Sequence, residues 1–504
     1  MSQNKRITAS KLYDYIQCPH RVWRDIYGPQ EEKIKDPSPF VELLWERGVV
    51  HEADVVSQLG QPFVNIAEGS FEERLQQTVK EMEKGTPLIY QGVIQHENLF
   101  GIPDLLERAE SGFYVPTDIK AGRGMEGSDA ETGVEGKPKD HYAVQLGLYI
   151  EILKQLGFCR ENKGLIIDVN RERVEYDLSQ PKGKQQTTTW WVFYESVKHQ
   201  VIRLVENEEQ NKPAMSGTCK ICLWHDSCKK WCETHDDLSR VFYVGRSARD
   251  TICRDLGIET ASQLADLDIR SALLRKETDK SFLRGIGAAS LEKAAIRARI
   301  LTQTKKPFIS EKIIFPAVST ELFFDIEDDP TQDFIYLHGV YERRSGKECF
   351  KHFLARQNAP EQEKEAWQEF WTYISTLPVN DFAVYYYSHH EKSAYNRLRK
   401  KYPDVISQND LDAFFNNPNV IDLYSNVVLK KTDWPVSSYS LKDLATYIGF
   451  TWRDTSPSGA LSIQWYNEYL KTGDDAILKR ILEYNEDDCR ATMVLKDAIG
   501  KLSS

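Results

Sequence analysis

The sequence predicts a multidomain α/β protein, on the basis of its length, its composition and the order of its helical and strand-like segments. Its 504 residues exceed what one hydrophobic core usually organises. Hydrophobic residues make up 41% and charged residues 28%, as in a folded chain rather than a disordered one. Helical stretches alternate with short strands in the first and last parts of the chain, whereas the middle part has a helical pattern throughout. We therefore expect several folded domains.

Three regions follow from this pattern. Residues 1–235 end in a cluster of cysteines, residues 236–310 are predicted to be helical, and residues 311–504 return to an α/β pattern. Pro307 and Pro316 flank the second boundary, where a basic helix gives way to an apolar strand, as expected for a linker.

The N-terminal sequence contains no apolar segment of the kind found in signal peptides, because Met1 to Arg6 lead directly into polar helical sequence. No later run approaches the length that spans a membrane. These features predict a cytoplasmic protein without membrane contacts.

The formal net charge of -11 argues at first against a nucleic-acid partner. However, carboxylates that hold divalent cations also make a chain acidic, and basic residues can be concentrated locally. Residues 284–306 carry six Lys and Arg side chains against one acid, Glu292. We interpret this stretch either as a phosphate-binding patch or as a solvated helix face.

The first group of candidate site residues begins at His51, in the run Gly48-Val49-Val50-His51-Glu52 on a predicted helix. Asp104 follows in Gly101-Ile102-Pro103-Asp104, on a predicted strand. Asp118 and Lys120 are two residues apart in an extended segment, so they project from one face. Phosphodiester hydrolysis needs carboxylates that hold Mg²⁺ or Mn²⁺ and a positive group near the attacking water, and these residues supply both types.

Gln145 and Tyr149 lie one helical turn apart further along the chain. An Asp-x-Lys triplet alone is common on solvated strand edges. The full order, Gly-x-x-His, Gly-x-x-Asp, Asp-x-Lys and Gln-x-x-x-Tyr, resembles the RecB-like branch of the PD-(D/E)XK nucleases over about residues 40–150. The resemblance implies that His51, Asp104, Asp118 and the Ile119 carbonyl hold the metal, that Lys120 is catalytic, and that Gln145 and Tyr149 support the site.

Four of the nine cysteines crowd into Cys219, Cys222, Cys228 and Cys232, and Cys18 lies far upstream. Without a signal sequence this crowding indicates a metal site, and four thiolates suit either tetrahedral Zn²⁺ or an iron-sulfur cluster. The layout resembles the iron-sulfur RecB-like nucleases, including the AddB-type and CRISPR-associated exonucleases. That resemblance implies a 4Fe-4S cluster held by Cys18, Cys219, Cys222 and Cys228, with Cys232 left over.

In the middle region, Leu283-Arg284-Gly285-Ile286-Gly287 precedes the basic helix. Gly-x-Gly before a helix resembles a helix-hairpin-helix, in which small glycines let backbone amides meet a phosphate. A plain helical linker is the alternative interpretation.

The second group of candidate site residues begins with Asp325 and Glu327, which an apolar strand delivers to one face. Tyr484 and Asp488 share a face of a predicted helix far downstream. This pattern resembles the RNase H-like exonucleases of the DEDD group, in the version that uses tyrosine, over about residues 320–500. The resemblance implies Mg²⁺ or Mn²⁺ ions between the carboxylates, with the tyrosine positioning a water molecule.

The third acid of that family is normally an Asp, and here Glu391, in Tyr387-Ser388-His389-His390-Glu391, would fill its position. Asp422 is a competing candidate, although a strand-end acid can equally cap a helix.

The combination of both domains resembles a family of bacterial and archaeal nucleases and covers nearly the whole chain. It implies a two-site nuclease for DNA repair, recombination or defence. The expected partners are nucleic acid, with DNA favoured over RNA, and a helicase or a repair or defence protein. No Walker-type loop occurs, so the chain is not itself a helicase. The alternatives are a nucleic-acid-binding scaffold with a degenerate RNase H-like site and a zinc-bearing interaction module.

Overall fold

The computed structural model describes residues 5–127, 136–183, 187–378 and 381–503, without the side chains of residues 39 and 40. The chain divides into two compact units, Met1–Pro213 with Gly217–Lys229, and Ala214–Ser216 with Lys230–Ser504. The second unit includes both the middle helices and the last α/β region. The division at residues 235 and 310 stays a prediction.

The first unit is an α/β structure whose main sheet has six strands in the order β11-β10-β7-β6-β3-β2. A three-stranded sheet, β1-β5-β4, and the pair β8-β9 accompany it. Its strands are β1 (Ile7–Thr8), β2 (Val64–Asn65), β3 (Leu88–Tyr90), β4 (Ile94–His96), β5 (Leu99–Gly101), β6 (Leu105–Arg108), β7 (Tyr114–Ile119), β8 (Met125–Glu126), β9 (Lys137–Pro138), β10 (Lys163–Ile167) and β11 (Arg173–Asp177). Its helices are α1 (Ala9–Gln17), α2 (Pro19–Tyr27), α3 (Pro39–Ser57), α4 (Phe71–Lys84), α5 (Asp140–Gln155), α6 (Trp190–Val205) and the start of α7 (His225–Thr234).

Local sequence explains where several of these helices begin and end. Ser70 caps α4 through a reciprocal capping box with Glu73, and Gly85 ends it with a φ of 74°. Helix α5 is buried along almost its whole length, and most of its residues are apolar, including Ala143, Val144 and Leu146. Helix α5 is therefore the central helix of the unit's hydrophobic core.

The second unit contains a five-stranded sheet in the order β15-β14-β13-β16-β17, and a two-stranded pair β12-β18. Strand β13 pairs antiparallel with β14 and parallel with β16, which in turn pairs parallel with β17. The strands are β12 (Phe308–Ile309), β13 (Thr320–Asp329), β14 (Phe334–Arg344), β15 (Lys347–Leu354), β16 (Phe382–Tyr386), β17 (Val420–Asp422) and β18 (Thr432–Asp433). The helices are α8 (Arg246–Leu256), α9 (Ala261–Ala265), α10 (Ile269–Thr278), α11 (Ala288–Arg299), α12 (Pro360–Ser375), α13 (His390–Lys401), α14 (Gln408–Phe415), α15 (Leu429–Lys431), α16 (Leu441–Tyr447), α17 (Gly459–Thr472) and α18 (Asp475–Ser503).

Both faces of this sheet are covered by hydrophobic core. Successive residues of β13 point to opposite sides, so they pack into two different clusters. Leu322 and Phe324 belong to a core cluster that includes Trp367 of α12. Phe323 belongs to another cluster that includes Cys489 of α18. Asp325 and Glu327 have the same parity as Phe323, so β13 delivers both acids to the α18 side.

The basic stretch at residues 284–306 forms α11 and the π-helical turn Ile300–Thr304. Its cations are used partly within the unit: Arg297 and Lys293 lie 2.8 and 2.9 Å from Asp433, and Arg299 donates to the Ala265 carbonyl. The interpretation of residues 284–306 as one free phosphate-binding patch is therefore wrong for Lys293, Arg297 and Arg299. The helix-hairpin-helix likeness stays a prediction, although Gly285 does adopt a φ of +85° before α11.

No helix in the described ranges is both long enough and apolar enough to cross a lipid bilayer.

Candidate functional site

Asp104 and Asp118 lie side by side in the first unit. Asp104 precedes β6, and its carboxylate accepts hydrogen bonds from the Ile119 backbone N–H at 2.7 Å and from Gln91 Nε2 at 3.0 Å. The Asp104 N–H is 3.5 Å from Oδ1 of Asp118, which is buried in β7. The antiparallel β6–β7 pairing explains how two acids 14 residues apart come together.

Lys120 contacts this pair through Nζ, 2.8 Å from Oδ2 of Asp118. Burial lowers the pKa of Lys120, but Asp118 and Asp104 outweigh burial and raise it overall. Burial, and then the Asp118 charge, raise the pKa of Asp104 to about 7. The arrangement is a protonated lysine against two carboxylates that repel each other.

Tyr149 of α5 lies against this site. Its hydroxyl donates to the Ile102 carbonyl at 3.4 Å, and a Cβ at Gly101 would lie only 2.5 Å from its ring, which explains the glycine. Burial, then the charges of Asp118 and Asp104, raise the pKa of Tyr149 well above its usual value. Gln145 is one turn earlier, and its buried Oε1 has no hydrogen-bond partner among the described atoms.

His51 and Ile119 have other contacts in the structure. Nε2 of His51, on α3, is 3.1 Å from the Asp168 carbonyl oxygen. The Ile119 N–H donates a hydrogen bond to Asp104, and Ile119 pairs with Ile167 of β10 in the sheet. Metal ligation by His51 and by the Ile119 carbonyl stays a prediction.

Glu52 and Gln91 were missed by the sequence analysis. Gln91 Nε2 donates to Glu52 Oε1 at 2.7 Å and to Asp104 Oδ1 at 3.0 Å, so one amide joins two carboxylates. Glu52 also contributes to the raised pKa of Asp104, after burial and Asp118, whereas Lys120 lowers that pKa. The adjacent His51-Glu52 pair was a usable signal for Glu52, whereas the sequence contained no signal for Gln91.

The second unit brings three carboxylates together. Oxygens of Asp325 and Glu327 on β13 and of Asp488 on α18 lie within 4.8 Å of one another. Burial, then Asp488 and Glu327, raise the pKa of Asp325 well above its usual value. Burial and then Asp488 raise the pKa of Glu327 to about 8. Such repulsion between buried acids is what a bound cation would relieve.

Asn485 fixes two of these acids and was also missed. Its Nδ2 donates to Asp325 Oδ2 at 2.8 Å and to Glu327 Oε1 at 3.3 Å. A Cβ at Gly339, which pairs with Asp325 across the sheet, would lie 1.6 Å from Asn485 Oδ1. Only glycine therefore leaves room for Asn485. A glycine within an otherwise bulky strand was the signal available in the sequence.

Tyr484 and Asp488 are held by residues from outside α18. Lys442 Nζ donates to the Tyr484 hydroxyl at 3.1 Å and to the Pro457 carbonyl at 2.6 Å. Trp452 Nε1 donates to Asp488 Oδ1 at 2.7 Å. Lys442 also lowers the pKa of all three carboxylates, opposing the larger effect of burial. Lys442 and Trp452 gave no motif signal in the sequence.

Comparison with protein families assigns both halves of the chain. Residues 6–229 match the PD-(D/E)XK nuclease superfamily, and residues 322–500 match the RNase_H superfamily. The chain carries a PD-(D/E)XK nuclease domain followed by an RNase H-superfamily domain. Comparisons with curated proteins and with solved structures give no match. The expected pairing of two nuclease domains is confirmed, and such domains imply nucleic-acid binding.

Glu391 and Asp422 differ in their contacts within the RNase H-superfamily domain. Glu391 is buried at the start of α13, and its charge contributes to the raised pKa of Asp325. Burial raises the pKa of Glu391 itself to about 7. Asp422 accepts a hydrogen bond from the Ser425 N–H at 2.8 Å and caps the π-helix Leu423–Val428. Both lie outside the group of three carboxylates defined by the described residues.

Cys18, Cys219, Cys222 and Cys228 belong to the PD-(D/E)XK nuclease domain. Cys18 lies between α1 and α2, and the other three lie in or beside the 3-10 turn Gly217–Ile221 and α7. Burial raises the pKa of Cys228 to about 12, and Cys222, Cys18 and Cys219 contribute further. Cys232 lies in the other unit, with its sulfur 3.8 Å from the Ser239 hydroxyl. Within the described residues, no three of these sulfurs lie within 4.8 Å of one another, so the 4Fe-4S cluster stays a prediction.

Proposed function

We propose that this protein is a divalent-metal-dependent nuclease with one hydrolytic site in each domain. The observation that carries the proposal is the group formed by Asp325, Glu327 and Asp488, whose oxygens lie within 4.8 Å of one another. Carboxylate oxygens are the ligands that Mg²⁺ and Mn²⁺ prefer, so the donor set fits these ions.

In the RNase H-superfamily domain, a bound cation would activate water and neutralise charge on the leaving oxygen. The protein's own contribution is positioning. Asn485 orients Asp325 and Glu327, and Trp452 orients Asp488. Lys442 holds the Tyr484 hydroxyl, which would orient a water molecule.

In the PD-(D/E)XK nuclease domain, we propose that Asp104 and Asp118 hold the cation. Lys120 would supply positive charge near the scissile phosphate rather than accept a proton, because its neighbouring carboxylates raise its pKa. Glu52, which Gln91 joins to Asp104, is proposed as a third carboxylate of this site. His51 and the Ile119 carbonyl are further proposed ligands, and Gln145 and Tyr149 would support the site.

For the substrate, we propose DNA that is single-stranded or has free ends. The protein would cut this DNA as an exonuclease in repair, recombination or defence. This part rests on the family resemblance of the sequence motifs. The competing proposal is a nucleic-acid-binding scaffold in which only one site cuts and the RNase H-like site is degenerate. The presence of Glu391 where the resembling family normally has Asp favours this alternative.

One experiment separates these proposals. The full chain and its Asp118→Asn, Asp325→Asn and double variants are incubated with 5′- or 3′-labelled single- and double-stranded DNA and RNA, with Mg²⁺, Mn²⁺ or EDTA. Each single variant should lose a different cleavage product, and the double variant should lose all cleavage. If Asp118→Asn alone removes every product, the RNase H-like domain is a binding remnant. Cleavage that persists in EDTA contradicts metal dependence.

We also propose that Cys18, Cys219, Cys222 and Cys228 bind a 4Fe-4S cluster. Cys18 and Cys219 both contribute to the raised pKa of Cys222 and of Cys228, after burial, which supports a common location for the four thiols. The donor set suits Zn²⁺ as well, so the metal has to be identified chemically.

A further inference from the structure

Tyr243 combines an unusual backbone conformation with an exposed ring. It occupies the third position of a tight turn, closed by a 2.8 Å hydrogen bond from the Val244 N–H to the Val241 carbonyl. Its φ is 69°, in the region that favours glycine or asparagine at this turn position. Nevertheless the residue is a tyrosine that is 66% exposed. A strained backbone that holds an aromatic ring outward is a feature found at binding sites.

The Tyr243 ring is supported from beneath, so its orientation is well defined. Phe242 lies 4.4 Å from it and stacks on Tyr439 at 3.8 Å. The Arg297 guanidinium lies 5.4 Å from the Tyr243 ring centre and 4.9 Å from that of Phe242. Arg297 is itself held by Asp433 at 2.8 Å. The exposed ring therefore rests on a half-buried phenylalanine, a buried tyrosine and a fixed cation.

Further tyrosines continue from these rings towards the end of β16. Strand β16 pairs parallel with β13 as far as Phe323 and Tyr385, and Tyr387 lies two residues beyond Tyr385, just as Asp325 lies two residues beyond Phe323. The Tyr387 ring is 5.3 Å from that of Tyr424. Tyr243 in turn lies close enough to Tyr424 to contribute, after burial, to the raised pKa of the Tyr424 hydroxyl. Three tyrosines thus connect the end of β16, beside the strand that carries Asp325, with the exposed ring.

Acidic residues lie at one end of this row of tyrosines, and an acid paired with two cations lies at the other. Asp422 and Asp443 lie near Tyr387, where they add to the effects of burial and Tyr424 in raising its pKa. At the other end, Asp433 is paired with two cations, Lys293 and Arg297. Because Asp433 is paired with both cations, this end of the row offers a strand the exposed ring rather than a free cation.

We propose that Tyr243 is a stacking platform for an unpaired base of the strand whose end enters the carboxylate site. The inference rests on the proposed nuclease function and adds to it the residue that would hold an unpaired base outside the cleavage site. Aromatic rings bind unpaired bases with little regard to sequence, because every base has a π-face. A paired base inside a duplex has no free face to offer.

The test uses the full chain with Asp118→Asn and Asp325→Asn in place, so that the strand stays intact. Single-stranded DNA oligonucleotides carry 2-aminopurine at successive positions from the 3′ end, and their fluorescence reports stacking. Quenching should be greatest at one position, should persist in Tyr243→Phe and should disappear in Tyr243→Gly. The Gly variant keeps the turn, because glycine accepts a positive φ. Affinity should fall about tenfold or more in Tyr243→Gly, with little change for a blunt duplex.

Tyr447→Ala is the matched control, since Tyr447 is another exposed tyrosine of the same unit. It should leave both quenching and affinity unchanged. If Tyr243→Gly gives the same fluorescence quenching and affinity as the parent, the proposal of a stacking platform at Tyr243 is wrong. The nuclease proposal survives that result if the active chain still cuts DNA. If the parent binds no oligonucleotide, both proposals fall. The same oligonucleotide with ribose sugars tests whether RNA occupies the platform equally well.

Discussion

Asn485 Nδ2 donates a 2.8 Å hydrogen bond to Oδ2 of Asp325, which joins the long helix α18 to the central strand β13. The same amide reaches Glu327 at 3.3 Å. A neutral donor between two acids reduces their repulsion without occupying the space of a cation. The geometry of the carboxylate group therefore depends on a residue that is not itself a carboxylate.

Replacing Gly339 by Ala should disrupt this arrangement, because the new Cβ would lie 1.6 Å from Asn485 Oδ1. We expect a stability loss of about 1–3 kcal/mol from overpacking and loss of cleavage by the RNase H-like site. Urea denaturation and 3′-end trimming in an Asp118→Asn background measure the two effects. Gly459→Ala is the control, since no atom lies within 4 Å of its added Cβ. Equal behaviour of the two variants would contradict the packing argument.

The metal-free protein should lose stability through Glu327 as pH rises. Burial and then Asp488 raise its pKa from 4.5 to about 8, so the folded state keeps a proton that the unfolded chain releases. The stabilising contribution is complete below pH 4.5 and is lost as pH rises toward 8. Mn²⁺ should therefore raise the Tm more at the upper end of this range, where it competes with fewer protons.

Thermal melts in EDTA and in Mn²⁺ across this pH range test the linkage, with Glu327→Gln as the control. The variant cannot titrate at this position, so its metal-free stability should fall less steeply than that of the parent. Identical pH profiles for parent and variant would show that Glu327 is not the responsible group.

Asp118 and Lys120 should behave as one catalytic unit. Asp118→Ala and Lys120→Ala should each abolish cleavage by the PD-(D/E)XK nuclease domain, and the double variant should be little worse than either. Single-turnover rates in an Asp325→Asn background measure this. Lys137→Ala, which breaks the exposed ion pair with Glu126, should leave the rate unchanged. Strictly additive losses would argue against a shared site.

The cysteine site should be visible in protein purified without oxygen. We expect a brown protein with more iron than zinc, and loss of colour and iron in Cys18→Ser. Cys232→Ser, in which the altered sulfur lies in the other unit, should keep the iron. Metal analysis and visible absorption decide the matter. Full iron content in Cys18→Ser combined with loss in Cys232→Ser would reverse the ligand assignment.

Glu391 and Asp422 should respond differently to substitution. If Glu391 is the third acid of the RNase H-like site, Glu391→Asp should retain or raise the trimming rate. Asp422→Ala should mainly reduce stability, by about 0.5–2 kcal/mol, because it removes the cap of the π-helix Leu423–Val428. Trimming assays and denaturation curves distinguish the two effects. A rate lost in Asp422→Ala but not in Glu391→Ala would move the ligand to Asp422.

The sequence by itself determined which acids could act together within one element. Residues two apart on a strand share a face, which predicted the pairing of Asp325 with Glu327. Residues four apart on a helix share a face, which predicted the pairing of Tyr484 with Asp488. The order of the motifs then indicated two nuclease domains, and both superfamilies are found. Local periodicity is enough for these conclusions because each depends on a few neighbouring residues.

Only the tertiary structure decided which residues hold those acids in place. Gln91 joins Glu52 to Asp104, Asn485 requires Gly339, and Lys442 contacts Tyr484, each from a distant part of the chain. Asp433 likewise pairs with Arg297 across 136 residues and removes it from the predicted basic patch. Such contacts form when sheets and helices pack, so no local pattern of charge or hydrophobicity encodes them. The sequence therefore indicated the chemistry, whereas packing determined the environment in which that chemistry operates.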